Sequence, residues 1–263
     1  MRYAARVEYD GTDFTGFQLQ PRGRTVQGEL EAALARLSGG SRVRVEAAGR
    51  TDAGVHAEGQ VIAFSYHGDL SADELARALD ALLPSDVAVR ALRRAPAGFR
   101  PRHAARSREY RYTVWNGPRS PLRERHALGV RVPLDATAMA EAAALIEGRH
   151  DFSAFGGADR QPIRTLHRVR VRRNGRAITI DVVGEAFLRQ MVRSIVAALL
   201  RVGRGEADPE DLAAALRSPS RAFAGQTAPA KGLTLRRVVL GRTGTRAKRR
   251  NDGEPEDLHA KSS

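Results

Sequence analysis

The apolar positions of this chain change period repeatedly, and each change predicts an element. RYAARVEYD (2–10) alternates apolar with polar residues and is rich in strand formers, so it reads as a strand. TVQGELEAALARL follows, with Val26, Leu30, Ala33, Leu34 and Leu37 at helical spacing on one face. RVRVEAAG (42–49) and QVIAFSY (60–66) return to strand patterning. A helix then opens at Ser71, where Glu74 completes a capping box and Leu75, Leu79, Leu82 and Leu83 form the apolar face. Pro84 ends it, and DVAVRALRR is a further strand. The order is βαββαβ, the ferredoxin-like pattern.

The second half repeats this order with insertions. SREYRYTVWN is a long strand. A helix starts near Asp135 and buries Met139, Ala142 and Ile146. LHRVRVRR and AITIDVVG are strands, and AFLRQMVRSIVAALLRVG is a strongly apolar helix. Asp208-Pro209 combines an N-cap with proline in the first turn, and GLTLRRVVL closes the set. The repetition lies in element order rather than in matching residues. It predicts an α+β fold of two ferredoxin-like halves, 1–103 and 104–241, with antiparallel sheets side by side as one extended sheet and helices on one face. Residues 242–263 are polar, low in aromatics and charged with both signs, the composition of a disordered tail.

Composition narrows the function classes. The chain has 263 residues, 42% of them apolar, enough to bury one large core or two small ones. No apolar run approaches the roughly 18 residues of a membrane span, and the first residues lack a signal peptide's apolar stretch. There are no cysteines, which excludes disulfides and thiolate-bound zinc and fits a reducing cytoplasm. The seven His are scattered without an HExxH-type pair, so no protein-bound catalytic metal is expected. The net charge of +14 asks for a polyanion. Only Lys231, Lys248 and Lys261 are lysines. Codon bias explains that preference for Arg, but not the excess of positive over negative charge. Residues 90–125 alone hold eleven Arg against two Glu, interleaved with Phe99, Tyr110, Tyr112 and Trp115. Guanidinium groups for phosphates beside aromatic faces for bases suit an RNA surface. Arg93, Arg94, Arg119 and Arg123 read as solvated connector residues. The 106–112 segment does not, because strand alternation sorts its side chains onto two faces.

The candidate chemistry lies in AGRTDAGVHAEGQVIAF (48–64). Asp52 there either ties down a turn, the commoner role of an Asp among glycines, or is a reactive group. Gly49 and Gly54 permit unusual backbone geometry or close approach by a ligand. Arg50 shares a face with Asp52 if the segment is extended, and a neighbouring cation keeps a carboxylate ionised and nucleophilic. Arg193 lies in the apolar helix: buried, its guanidinium needs an anion; otherwise it forms a solvated stripe with Arg189, four residues earlier. A metal-dependent nuclease would need several convergent carboxylates, and YDGTDFTG, with Asp10 and Asp13, looks more like a strand-ending turn. Glycosidase-type hydrolysis needs a second carboxyl, for which only Glu58 is near. The residues alone lead as far as an aspartate acting as nucleophile or stabiliser on RNA.

GRTDAGVHAEGQV resembles the active-site signature of the tRNA pseudouridine synthase A family. YDGTDFTGFQLQP, TVQGELEAAL, REYRYTVWN, DFSAF, FLRQMVRSIVAAL and APAKGLTL resemble its other blocks, so the likeness runs from about Arg2 to Leu240. Phe17, Gln190, Ser194 and Ala197 depart from the commoner Trp, His, Asn and Gly. The resemblance implies a cofactor-free isomerase with a basic cleft between its halves. It would detach uracil from C1′ of a tRNA uridine, turn the base and rejoin it through C5. It also implies action on the anticodon arm at tRNA positions 38 to 40, by a homodimer. Asp52 matches the catalytic aspartate, acting by attack on base or sugar or by proton abstraction from the ribose through a glycal-like intermediate. Arg50 matches the residue that enters the RNA stack where the target base leaves, Arg193 the arginine that pairs with the catalytic carboxylate, and Tyr110 the tyrosine that stacks on the flipped base. His56 has no proton-transfer role in that chemistry and reads as structural or RNA-facing. Tyr112 reads as core.

Overall fold

In the computed structural model, which describes residues 1–157, 159–217, 223 and 226–241, the elements follow in the order β1 (Arg2–Tyr9), α1 (Val26–Leu37), β2 (Glu46–Ala47), β3 (His56–Ser65), α2 (Ala72–Leu82), β4 (Val87–Arg94), α3 (Pro101–Ala104), β5 (Ala105–Asn116), β6 (Leu128–Val130), α4 (Ala136–Leu145), β7 (Gly148–Asp151), β8 (Ile163–Asn174), β9 (Ala177–Gly184), α5 (Met191–Gly203), α6 (Pro209–Arg217) and β10 (Leu233–Leu240). The expected tail, 242–263, lies outside the described residues. Among those residues no helix is long and apolar enough to cross a membrane.

The helices start where side chains can satisfy their first amides. The Thr25 hydroxyl accepts from the Gly28 N–H at 3.2 Å and opens α1. Ser71 and Glu74 form the reciprocal capping box of α2. The Asp135 carboxylate accepts from Thr137 and Ala138 at 2.8 and 3.0 Å and opens α4. The apolar helix differs from expectation. It begins at Met191, because Gln190 takes a left-handed backbone with φ 62°. Phe187 and Arg189 therefore precede α5, so the i, i+4 stripe, one of the two readings of Arg193, does not form.

All ten strands join one sheet, whose main path runs β4-β1-β3-β10-β5-β9-β8-β7, with β2 on β3 and β6 on β5. β4, β1, β3 and β2 form one ferredoxin-like set and β10, β5, β9 and β8 the other, each in the same spatial order. Pairing inside each set is antiparallel. The junction is not: β10 runs parallel to β3 and pairs only Thr234 with His56 and Leu235 with Ala57. Further along the same β3 edge, β2 pairs Glu46 with Ala63 and Ala47 with Ile62. β2 is shorter than the alternation of 42–49 predicts because Val45 just before it gives its N–H to the Glu31 carboxylate at 3.0 Å and its carbonyl to the Gln27 side chain at 3.3 Å rather than to β3.

The helices sit on one face. Tyr3, Ala5, Val7 and Tyr9 of β1 and Ile178, Ile180 and Val182 of β9 are buried with Leu30, Leu34, Leu75, Leu79, Met139 and Ile195 in a single core. Intervening positions such as Arg6, Glu8, Arg170 and Arg172 are exposed on the other face. Period-two burial of this kind fixes register, since a one-residue slip would send the whole apolar set to solvent.

The junction depends on a glycine. A Cβ at Gly59 would stand 2.4 Å from the Arg236 carbonyl oxygen, so only a residue without one lets β10 lie this close to β3. Gly59→Ala is expected to cost roughly 1–3 kcal/mol by steric overpacking. Urea unfolding checks this; an unchanged midpoint would mean that the two strands separate without cost.

Candidate active site

The 48–55 segment crosses from β2 to β3 as a loop whose backbone is held at nearly every residue. The Gln60 side chain, fully buried, donates to the Gly49 carbonyl at 3.0 Å. The Thr51 hydroxyl lies 2.8 Å from the Tyr9 hydroxyl, both buried. Phe17 N–H donates to the Thr51 carbonyl at 3.1 Å, and Gly54 N–H to the Phe14 carbonyl at 3.2 Å. Gly54 has φ +75°, and a Cβ on Gly11 would stand 2.0 Å from the Val55 carbonyl oxygen. Thus the turn that YDGTDFTG forms after β1 lies directly under this loop.

Asp52 is half-buried in that rigid setting, and among the described residues nothing donates to its carboxylate. Its carbonyl, not its side chain, accepts from Val55 N–H at 3.2 Å. It therefore caps no helix and ties down no turn through its side chain. Neither carboxylate oxygen accepts a hydrogen bond among the described residues, and the surrounding backbone fixes where they stand.

Tyr110 of β5 is brought to Asp52. Burial, opposed by the Arg108 charge and reinforced by the Asp52 charge, pushes its phenol up to about 12. It stays protonated near neutrality and can donate a hydrogen bond or offer a ring face, but it is no base there. Phe187 meets the ring edge-on, with centroids 5.2 Å apart at 85°. Phe187 is thus a wall of the site rather than part of the helix face its sequence spacing suggests.

Arg108 is the residue that the sequence left unassigned. It lies two positions before Tyr110 and so shares its face. Its guanidinium donates to the Ala48 carbonyl at 2.7 Å and to the Glu185 carbonyl, linking the start of the loop to the β9–α5 connection. Burial lowers its pKa, yet a guanidinium remains charged. The period-two spacing Arg108, Tyr110, Tyr112 was the available signal; the two carbonyls it holds are 60 and 77 residues away.

The other sequence candidates are placed apart. Arg50 is exposed at the lip of the loop. Arg193, on α5, is half-buried and donates to the Ala228 carbonyl at 2.7 Å and the Thr227 hydroxyl at 3.1 Å. No ion pair links it to Asp52; neutral acceptors satisfy it in this structure. Its charge reaches Tyr112, whose hydroxyl donates to the Pro229 carbonyl at 2.8 Å. Glu58 pairs with Arg236, away from the loop's interior.

His56 is buried as a structural hub. Its Nδ1 receives the Gly11 N–H at 3.0 Å, and its Nε2 lies 2.9 and 3.1 Å from the Arg125 and Lys231 carbonyls. With Nδ1 accepting, Nε2 carries the proton and donates to those carbonyls. Asp10 lies 3.1 Å from Nδ1, and the His126 ring centroid is 4.7 Å away. Arg125 pairs with Asp10 at 3.2 Å and Asp13 at 2.8 Å. Asp10 and Asp13 thus dock the 117–127 segment onto the end of β1. Burial would raise the Asp10 carboxyl, but the Thr12 hydroxyl and amide, with His56 and Arg125, bring it down to about 2. Burial lowers the His56 pKa despite the pull of Asp10.

Comparison with known proteins bears on what this arrangement does. A family model described as tRNA pseudouridine synthase matches residues 5–102 and 142–239. A tRNA pseudouridine synthase A from Geobacillus kaustophilus (strain HTA426) is 44% identical over 236 residues, covering 88% of this chain and 92% of the relative. One from Pelobacter propionicus is 46% identical over 233 residues, covering 87% and 95%. One from Thermotoga neapolitana is 43% identical over 244 residues, covering 91% and 99%.

The hub has a pH signature. A histidine held neutral below its ordinary pKa stabilises the fold above about pH 6.5, and that contribution is lost as pH falls toward the folded pKa. Asp10 adds a second loss at lower pH, as its carboxyl protonates between about 3.8 and about 2. The melting temperature is expected to fall between pH 7.5 and 5.5, and His56→Gln to flatten that slope while lowering stability at pH 7.5. An equal slope in the variant would place the titration elsewhere.

Proposed function

The chain belongs to the tRNA pseudouridine synthase A family, whose members convert uridine to pseudouridine in tRNA, and from this premise we propose that Asp52 is the catalytic group. One observation carries the assignment: its carboxylate is the undonated acceptor at the centre of a clamped loop, beside a buried aromatic ring. We extend the proposal to uridines 38 to 40 of the anticodon arm, to a homodimer acting in the cytoplasm, and to two domains, 1–103 and 104–241, meeting where β10 joins β3. The chain's high Arg content and lack of cysteine support this reading.

The reaction is an isomerisation. The C1′–N1 bond breaks, a C1′–C5 bond forms, the C5 proton leaves and N1 gains one, so no cofactor or redox partner is required. Asp52 acts as nucleophile: attack on C1′ gives a glycosyl ester and frees uracil, the base turns, and C5 displaces the carboxylate. In the alternative route the same carboxylate takes the C2′ proton and returns it after the base has turned. Either role needs an ionised carboxylate oxygen free to reach the ribose.

The target base must leave its stack, at a cost of a few kcal/mol. Tyr110, backed by Phe187, would offset this by stacking on the extruded base, and exposed Arg50 would fill the gap left in the RNA. In the free protein Arg193 is held by Thr227 and Ala228; we propose that it turns to the Asp52 carboxylate when RNA enters. Arg108, by holding the Ala48 and Glu185 carbonyls, positions Tyr110 relative to the loop.

Asp52→Asn and Asp52→Ala are expected to lower turnover about a thousandfold or more, with tRNA affinity largely kept. Release of label from uridine C5 measures this directly. Activity that survives Asp52→Asn would leave an RNA-binding protein without this chemistry, and loss of wild-type turnover in chelator would favour a metal-dependent reaction.

Tyr110→Phe is expected to be mild and Tyr110→Ala severe, because the ring and not the hydroxyl stacks. Equal losses in the two variants would make the hydroxyl a proton-transfer group.

A further inference from the structure

Two adjoining cavities lie along the segment that leads into β2. One, of about 380 Å³, is lined by Gln18, Leu19, Gln27, Arg42 and Arg44. The second, of about 590 Å³, shares Arg42 and Arg44 and continues to Arg2 and His67. The near end of this groove adjoins the catalytic loop through one neighbour: Gln18 follows Phe17, whose N–H donates to the Thr51 carbonyl at 3.1 Å. The groove runs on to the far end of β3, where Arg2, Ser65 and His67 line it.

Its floor is built rather than accidental. Glu31 is buried and accepts from the Gln27 amide at 2.7 Å and the Val45 N–H at 3.0 Å; the Gln27 carbonyl oxygen in turn accepts from Leu19 N–H at 3.0 Å. These bonds hold the two rims at fixed separation. Val43 and Val45 are buried, so alternation turns Arg42 and Arg44 outward. Arg44 makes no ion pair among the described residues. Arg42 reaches Glu31 only at 3.4 Å, with its own side chain 73% exposed. Glu46, the remaining acid of the groove, is already paired with Arg2 at 2.9 Å. Two outward guanidinium groups thus remain available to an anion.

We propose that this groove is a phosphate track for the tRNA strand leaving the catalytic loop, with Arg42 and Arg44 as its backbone contacts. The assignment rests on the family reading and adds a binding subsite to it. Exposed Leu19 gives the near end an apolar surface for a base or ribose, and the two arginines set the direction of the strand. Contacts of this kind raise affinity without reading sequence.

The test compares three proteins on full-length tRNA: wild type, the Arg42→Ala/Arg44→Ala double variant, and an Arg93→Ala/Arg94→Ala control that removes equal charge from the outer edge strand β4. The groove variant is expected to raise KM about tenfold with kcat within twofold, and to reduce the slope of log KM against log salt by about 1.5, the share of two phosphates. Arg42→Lys/Arg44→Lys should restore most of the affinity, and the β4 control should leave both quantities near wild type. An unchanged KM and salt slope in the groove variant, or an equal effect from the control, overturns the track. Wild-type protein that forms no pseudouridine would instead sink the family reading.

Discussion

The structure turns on one constraint: a half-buried carboxylate kept without a donor among the described residues. Partial burial of an unpaired anion is unfavourable, and a flexible loop would relieve it by turning the group to water or to a neighbouring N–H. Here the loop has no such freedom. Gln60 holds the Gly49 carbonyl, Tyr9 holds the Thr51 hydroxyl, and Phe17 and Phe14 hold the backbone on either side of Asp52. The amides that could have capped the carboxylate are already directed elsewhere. Stability in the surrounding core thereby maintains an acceptor that stays unsatisfied in the free protein among the described residues.

The second requirement is the junction of the two strand sets. The loop with Asp52 belongs to the first set, while Arg108, Tyr110 and Phe187 come from the second. The direct strand pairing between sets is only two residue pairs long, too little to align a site by itself. Three other ties reinforce it. Arg108 spans from β5 to the Ala48 carbonyl, His56 reaches the carbonyls of Arg125 and Lys231, and Arg125 returns to Asp10 and Asp13. All three cross long sequence separations, and all are polar. The helix-covered core supplies most of the stability of each set, and these directional bonds set their mutual position.

Much of this was readable along the chain. The strands of 2–10, 86–94, 107–116, 166–173 and 177–184 follow from period-two alternation. The helix starts at Ser71 and Asp135 follow from capping chemistry, which is local and therefore legible. Errors arose where the outcome depended on a distant partner. The 42–49 segment alternates like a long strand, yet β2 is short because the Val45 backbone bonds to Glu31 and Gln27 of α1 instead of to β3. The 186–203 segment is apolar throughout, so its pattern could not show that Gln190 breaks the helix and leaves Phe187 to pack on Tyr110. Arg193 was expected to need an anion, but carbonyl and hydroxyl acceptors from 227–228 satisfy it, and spacing along a helix carries no information about them.

By itself the sequence determined the element order, the two-set α+β plan, the basic character of the surface and the identity of Asp52 as the group to watch. Those properties come from local periodicity, capping residues and a contiguous motif, all written in neighbouring positions. Only the tertiary structure decided that the Asp52 carboxylate has no donor among the described residues, that Tyr110 and Arg108 converge on its loop, and that Arg42 and Arg44 open onto one groove. Each depends on side chains tens of residues apart meeting in space. Whether a polar group is satisfied is fixed by all of its neighbours at once, and sequence order does not record that.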